Sequence, residues 1–320
     1  MVIYSGRTLL FASIFFSIVS LGAADPTISY DQLINKHSEL WKRFNHKSPQ
    51  EIIAVFFGTA KKVGDILITD VPGLKKGEKT NLLVTMNVEN KLWHVSMCDA
   101  NKNSVIEGNL LPEDNNSYAY LGLLRSTPQE GSGVLGISGK KRLISGTTAL
   151  CLWDRFWELW GIKKGLLTDA SMVDGFYLRI LLPYVYGCSW YGGFGYLPCN
   201  IAYERYTEAV AFLANRTVKV LREDCKNISH AQKILDQALT CTGLNEWYTV
   251  GYVVSVLYTS WRYGRADATK PLLTPKERVV YKKTLHALYK TFLAEYPVDN
   301  QAVLDAQSLV NWHATLEKVA

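Results

Sequence analysis

The sequence has none of the residue spacings that mark a metal site. No Cys-x-x-Cys pair and no His-Glu-x-x-His string occurs, and the six histidines are scattered, so no metal is expected. Basic runs are equally scarce. Formal net charge is only +6 and the longest Lys/Arg run is Lys140-Lys141-Arg142, whereas a nucleic-acid binder concentrates such residues on one face. No nucleic-acid partner is expected. Beyond the N-terminus no stretch has the 18 uncharged apolar residues that suggest a membrane span. With 48% hydrophobic and 20% charged residues, wholesale disorder is excluded as well.

What is present begins with residues 1–24. Arg7 is their only charge, and it precedes an apolar run from Thr8 to Ala23, with small residues Ser20, Gly22, Ala23 and Ala24 leading into Asp25-Pro26. A charged start, an apolar stretch too short to span a bilayer comfortably and small residues at its end describe a cleavable export signal. The mature chain is therefore expected outside its compartment of synthesis, periplasmic, secreted or delivered to a host cell, and off the membrane once the signal is removed. An exported chain with six cysteines, at 98, 151, 188, 199, 225 and 241, is permitted disulfides. Cys188 with Cys199 and Cys225 with Cys241 offer short closures, whereas Cys151 lies in an apolar helical pattern suited to a buried thiol. Asn115, Asn215 and Asn227 head Asn-x-Ser/Thr sequons, which matter only for a eukaryotic source.

The patterning divides the mature chain. Ser48-Pro49-Gln50-Glu51 is a capping box with proline at the first helical position, predicting a helix to about Lys61. From about 65 to 138 the period changes to two: Leu82, Val84, Met86 and Val88, then Trp93, Val95 and Met97, read as a hairpin turning at Glu89-Asn90. Further strands are expected at 118–124 and 133–138, with a loop over 110–117. Residues 146–160 form a helix apolar around most of its girth, the signature of burial, and a short strand follows from Gly165 to Asp169. After residue 200 the pattern is helical to the end, with helices expected near 201–223, 229–241, 246–263, 275–295 and 299–318; Thr274-Pro275-Lys276-Glu277 repeats the capping box. The fold class expected is α+β, a mixed and largely antiparallel sheet with helices over residues 25–200, followed by an all-helical C-terminal region over 201–320.

Literal motif matches fail their context. Gly131-Ser132-Gly133-Val134-Leu135-Gly136 spells a dinucleotide fingerprint, yet it precedes a strand instead of joining strand to helix. One constellation keeps its order: strand, basic loop, glycine-bearing helix start, buried helix, strand, then Trp190-Tyr191-Gly192-Gly193-Phe194-Gly195-Tyr196. Residues 133–196 thereby resemble the acyl-CoA-binding half of GNAT-type N-acetyltransferases. In that family a loop of the form R/Q-x-x-G-x-G/A holds the pyrophosphate at a helix N-terminus, where amides and macrodipole favour phosphate. A later Y-x-x-x-G-F signature supplies the tyrosine that protonates the leaving thiolate.

The resemblance implies that Lys141, Ile144, Ser145, Gly146 and Thr147 bind the acyl-CoA pyrophosphate, with Lys141 at the Arg/Gln position and Gly146 at the last glycine. Ile144 departs from the pattern, standing where the middle glycine belongs with a side chain able to obstruct the phosphate. Tyr191 takes the place of the general acid, and Asp169, a strand-end carboxylate, is a candidate general base. The implied activity is transfer of an acetyl group from acetyl-CoA to an amine. Export opposes it, because acetyl-CoA is cytosolic, and the fold retained without that chemistry is the other outcome. The alternative reading is a secreted, non-catalytic binding protein whose helical C-terminal region docks a protein partner, drawing on 9 Trp and 18 Tyr for contact surface.

Overall fold

A computed structural model describes residues 26–44, 47–57, 64–112, 117–124, 143–199, 201–265, 272–311 and 315–320. The export segment, Lys141 and the strand expected at 133–138 lie outside the described residues. Two compact units divide them, one holding residues up to 124, residues 143–165 and Val319–Ala320, the other holding Leu166–Lys318. No helix among the described residues is long and apolar enough to cross a membrane.

The first unit opens with β1 (Thr27–Ser29) and short helices α1 (Tyr30–Ile34), α2 (Glu39–Phe44) and α3 (Pro49–Phe57). The Ser48–Glu51 box forms: Ser48 N–H donates to Glu51 Oε2 at 2.7 Å and Glu51 N–H to Ser48 Oγ at 3.3 Å. A meander follows, β2 (Asp65–Pro72), β3 (Lys79–Glu89), β4 (Leu92–Cys98), β5 (Ser104–Leu111) and β6 (Tyr118–Leu124), then α4 (Gly146–Leu159). In the sheet β1 pairs parallel with β2, and every later neighbour through β6 is antiparallel. The β3–β4 turn is Asn90-Lys91, one residue beyond its expected place. Both residues have positive φ, 49° and 69°, the backbone of a two-residue hairpin turn whose twist matches the strands. Strand β5 continues to Leu111, into the span expected as loop.

Side chains alternate across this sheet as strand geometry requires. Val84, Met86, Trp93, Val95, Met97, Ile106 and Leu110 are buried on one face, while Thr85, His94, Ser96, Glu107 and Asn109 occupy the other. Helix α4 packs on β5, β6 and α1, carrying Trp153, Phe156 and Trp157 into the core, with Trp160 just past its end; all four are fully buried. Each such ring is worth about 1.5–3 kcal/mol of burial. Gly108 exists for this contact: a Cβ there would stand 2.2 Å from Cη2 of Trp153.

The second unit begins within β7 (Lys164–Thr168), followed by a tight hairpin of β8 (Met172–Val173) and β9 (Phe176–Tyr177). Its turn is Asp174-Gly175, at φ 52° and 90°. Helix α5 (Leu178–Tyr186) ends on left-handed Gly187, and a single 3-10 turn (Gly192–Phe194) leads to β10 (Leu197–Pro198). The helices are α6 (Tyr203–Asn215), α7 (Val218–Asp224), α8 (Ser229–Thr242), α9 (Val250–Tyr263), α10 (Pro275–Leu288), which widens into a π turn (Tyr289–Ala294), and α11 (Gln301–Asn311). They share one core around Leu213, Leu235, Val254, Leu257, Leu285 and Phe292.

Two expectations are corrected here. The region 201–320 is not all-helical: Thr315–Val319 is a strand, β11, lying between β7 and β10 and pairing Leu197 with Glu317. The helix expected over 201–223 is two helices. Thr217 breaks it by capping α7, accepting the Val220 N–H at 3.3 Å, and Val218 N–H donates to Tyr248 O. The π turn has its own support, because buried Gln307 donates through Nε2 to Phe292 O (3.0 Å) and Leu293 O (3.2 Å). The α+β class with a large, mostly antiparallel sheet and C-terminal helices stands.

Candidate functional site

The loop after β7 and the first turn of α5 bring a carboxyl and a guanidinium together in the second unit. Asp169 is 4% exposed and follows Thr168 at the strand's end. Its Oδ1 accepts the Ser171 N–H at 3.0 Å and the Ser171 hydroxyl. Arg179, also buried, donates through Nη1 to the Asp169 carbonyl at 2.7 Å and lies 4.4 Å from the centre of the Tyr177 ring. Among the described residues Asp169 Oδ2 and Arg179 Nε have no hydrogen-bond partner. Burial raises the Asp169 pKa above the usual carboxylate value, against the hydrogen bonds from Ser171 and the nearby Arg179 charge.

Tyr191 lies in the glycine-rich loop after α5 and is nearly buried, its ring edge-on to Trp190 (centroids 4.7 Å) and Tyr196 (6.3 Å). The loop is pinned by Ser189, whose Oγ accepts the Gly192 N–H at 3.0 Å and whose carbonyl accepts the Gly193 N–H at 3.2 Å. Gly195 closes it at φ 87°, a conformation that excludes most side chains. Burial, reinforced by the charge of Asp169, raises the Tyr191 pKa, so its hydroxyl keeps its proton. Tyr206 of α6 joins the cluster. Its pKa is pushed up to about 12, first by burial and then by Cys188, against a hydrogen bond from the Ser189 backbone.

The residues assigned to a pyrophosphate belong to the first unit. Ile144 is fully buried. Ser145 is the N-cap of α4, accepting the Thr148 N–H at 2.9 Å and meeting Thr148 Oγ1 at 2.8 Å. Gly146 and Thr147 form the first turn, and Thr147 is exposed.

All six cysteines are thiols, so neither expected closure forms. Cys225 instead donates to Leu221 O at 2.8 Å from the end of α7. Among the described residues no group of three or more His, Cys, Asp or Glu side chains could hold a metal ion. Tyr191 was legible as a motif match and Asp169 as a strand-end carboxylate. Arg179 and Tyr206 were missed; the one signal for Arg179 is a lone charge in the apolar run Leu178–Tyr186.

The fold and this cluster define an α+β protein with a buried carboxyl–tyrosine site. Set against protein-family models, curated proteins and solved structures, the chain matches none of them.

Proposed function

We propose that Asp169 and Tyr191 form an acid–base pair for acyl transfer to an amine, the chemistry that the GNAT resemblance implies. One observation carries the reading: a buried carboxyl with a free oxygen among the described residues and a raised pKa neighbours a tyrosine that retains its proton. A raised pKa makes a carboxylate a stronger base, and a protonated phenol is a proton donor. In the step inferred, Asp169 Oδ2 takes a proton from the amine as its nitrogen attacks the thioester carbonyl. The C–S bond breaks and Tyr191 Oη protonates the departing thiolate, giving amide and thiol; Asp169 then releases its proton to solvent as Tyr191 recovers one. The resemblance alone assigns the donor's pyrophosphate to Lys141, Ile144, Ser145, Gly146 and Thr147. The export segment read in residues 1–24 requires the donor to be met where the chain is delivered.

Acetyl-CoA is expected to raise the thermal midpoint by mass action, and Tyr191→Phe to lower turnover of a lysine peptide, read by mass spectrometry, about 10²–10⁴-fold. No midpoint shift at millimolar acetyl-CoA refutes the acyl-CoA reading.

A second reading, a binding protein that docks its partner through the helical region, is favoured by a separate observation. Trp247 is 64% exposed with Lys219 Nζ 4.0 Å from its ring centre, and beside it exposed Tyr248 and Tyr252 stack at 5.2 Å. Exposed aromatic groups of this kind are enriched in binding hot spots. Trp247→Ala is expected to leave the thermal midpoint unchanged and to abolish capture of the partner.

A further inference from the structure

A cavity of about 350 Å³ opens in the second unit between α5 and α9, within the size range of small-molecule sites. Leu181, Leu182, Trp190 and Trp261 supply apolar wall, and Tyr186, Tyr258 and Tyr263 supply rings with hydroxyls. Those rings stand nearly perpendicular: Tyr186 meets Tyr258 at 87° and Tyr258 meets Tyr263 at 82°, with centroids 6.1 and 6.3 Å apart. Their hydroxyls are linked to one another, and burial raises the pKa of Tyr186 and Tyr258, so the wall presents phenols, not phenolates.

An aromatic cage by itself suits a cation. The charges here point the other way. Among the described residues, Arg262 is the one ionised group lining the cavity, and no carboxylate among them lines it. Asp174, next in sequence to the lining Val173, is engaged by Lys282 Nζ at 2.9 Å. Arg278 adds a second guanidinium close by, donating to the carbonyls of Trp261 (2.8 Å) and Arg262 (3.1 Å) at the end of α9. An apolar body with donors and a guanidinium at one side is complementary to an organic anion.

We propose that this cavity binds a small organic carboxylate with a ring or short alkyl body, its carboxylate held by Arg262 and the tyrosine hydroxyls. Neither Asp169 nor Tyr191 lines this cavity, and its failure leaves the acyl-transfer reading untouched.

The test is a tryptophan-fluorescence titration of the full chain, because Trp190 and Trp261 line the cavity. Three probes sharing a phenylpropyl body are compared: 4-phenylbutyrate, 4-phenylbutanamide and 3-phenylpropyl-trimethylammonium. The carboxylate is expected to bind with a Kd on the order of 1 mM, as a ligand of about a dozen heavy atoms does, and the amide about tenfold more weakly. Arg262 is exposed, so its variants should fold. Arg262→Gln is expected to reduce the carboxylate to the amide's affinity while leaving the amide unchanged, and Arg262→Lys to retain most of the preference. Tighter binding of the trimethylammonium probe, unchanged carboxylate affinity in Arg262→Gln, or no response to any probe at about 10 mM would overturn the proposal.

Discussion

Replacing Gly108 by alanine adds one methyl group where the core has no room for it. The new Cβ would stand 2.2 Å from Cη2 and 2.6 Å from Cζ2 of Trp153, and 2.6 Å from the Tyr120 carbonyl oxygen. Carbon atoms in contact sit about 3.5–4.0 Å apart, so the indole must withdraw by more than about 1 Å. Trp153 is fully buried with Phe156, Trp157 and Trp160 beside it in the same core, and close-packed interiors do not give such space freely. Overpacking of this kind costs about 1–3 kcal/mol. Alanine returns about 0.4–1 kcal/mol by restricting the unfolded chain, leaving a net loss of about 1–2 kcal/mol. At about 2–4 °C per kcal/mol for a unit of 150–250 residues, the thermal midpoint should fall by about 2–8 °C. Near-ultraviolet circular dichroism is the assay, since it reports the tryptophan environment directly. Gly122→Ala is the control: it lies in the same sheet, where the new Cβ meets nothing closer than 3.7 Å, and should cost nothing. In a Trp153→Phe background the Gly108→Ala penalty should shrink, a coupling that a double-mutant cycle isolates. An equal penalty in both backgrounds, or none in the wild type, would refute the claim that the glycine seats the indole.

Other perturbations follow from groups described above. Burial raises the Asp169 pKa, so the folded state holds that proton more tightly than the unfolded one. The resulting stability is full below the unfolded carboxylate value and is lost as pH rises through the folded value. The midpoint of Asp169→Asn relative to wild type should therefore climb as pH rises from the ordinary carboxylate range, then level off; a pH-independent difference contradicts the assignment. Gln307→Leu removes the donor to the Phe292 and Leu293 carbonyls and should cost about 1–3 kcal/mol in urea denaturation, with no loss meaning that the π turn needs no cap.

What could be read from the sequence was local. The capping boxes at Ser48–Glu51 and Thr274–Glu277 form as spaced, because every group involved lies within four residues. The β3–β4 hairpin and the buried face of α4 follow from side-chain period alone. Strand β11 did not, since Thr-Leu-Glu-Lys-Val is too short to separate from a helix tail and becomes a strand only by lying between β7 and β10. Helix α5 was hidden by Pro183 inside it, a residue that usually ends helices. The same limit governs the site. Tyr191 and Asp169 were visible because motif and strand end are sequence-local, whereas Tyr206 and Arg179 act only through folded proximity, and so do the cavity residues spread from Val173 to Tyr263.

The chain's last residues carry a consequence for its biosynthesis. Ala320 N–H donates to the Lys163 carbonyl at 3.0 Å, and Val319–Ala320 group with the first unit although the whole second unit precedes them. A nascent chain that has emerged only as far as Asn311 therefore lacks the residues that complete both units. Such a chain holds β7 and β10 without the strand between them, and truncation before Thr315 would resemble permanent arrest at that stage. Non-local strand pairing of this kind is slow to form, which leaves an interval after Thr315–Val319 has been made in which the sheet still lacks that strand.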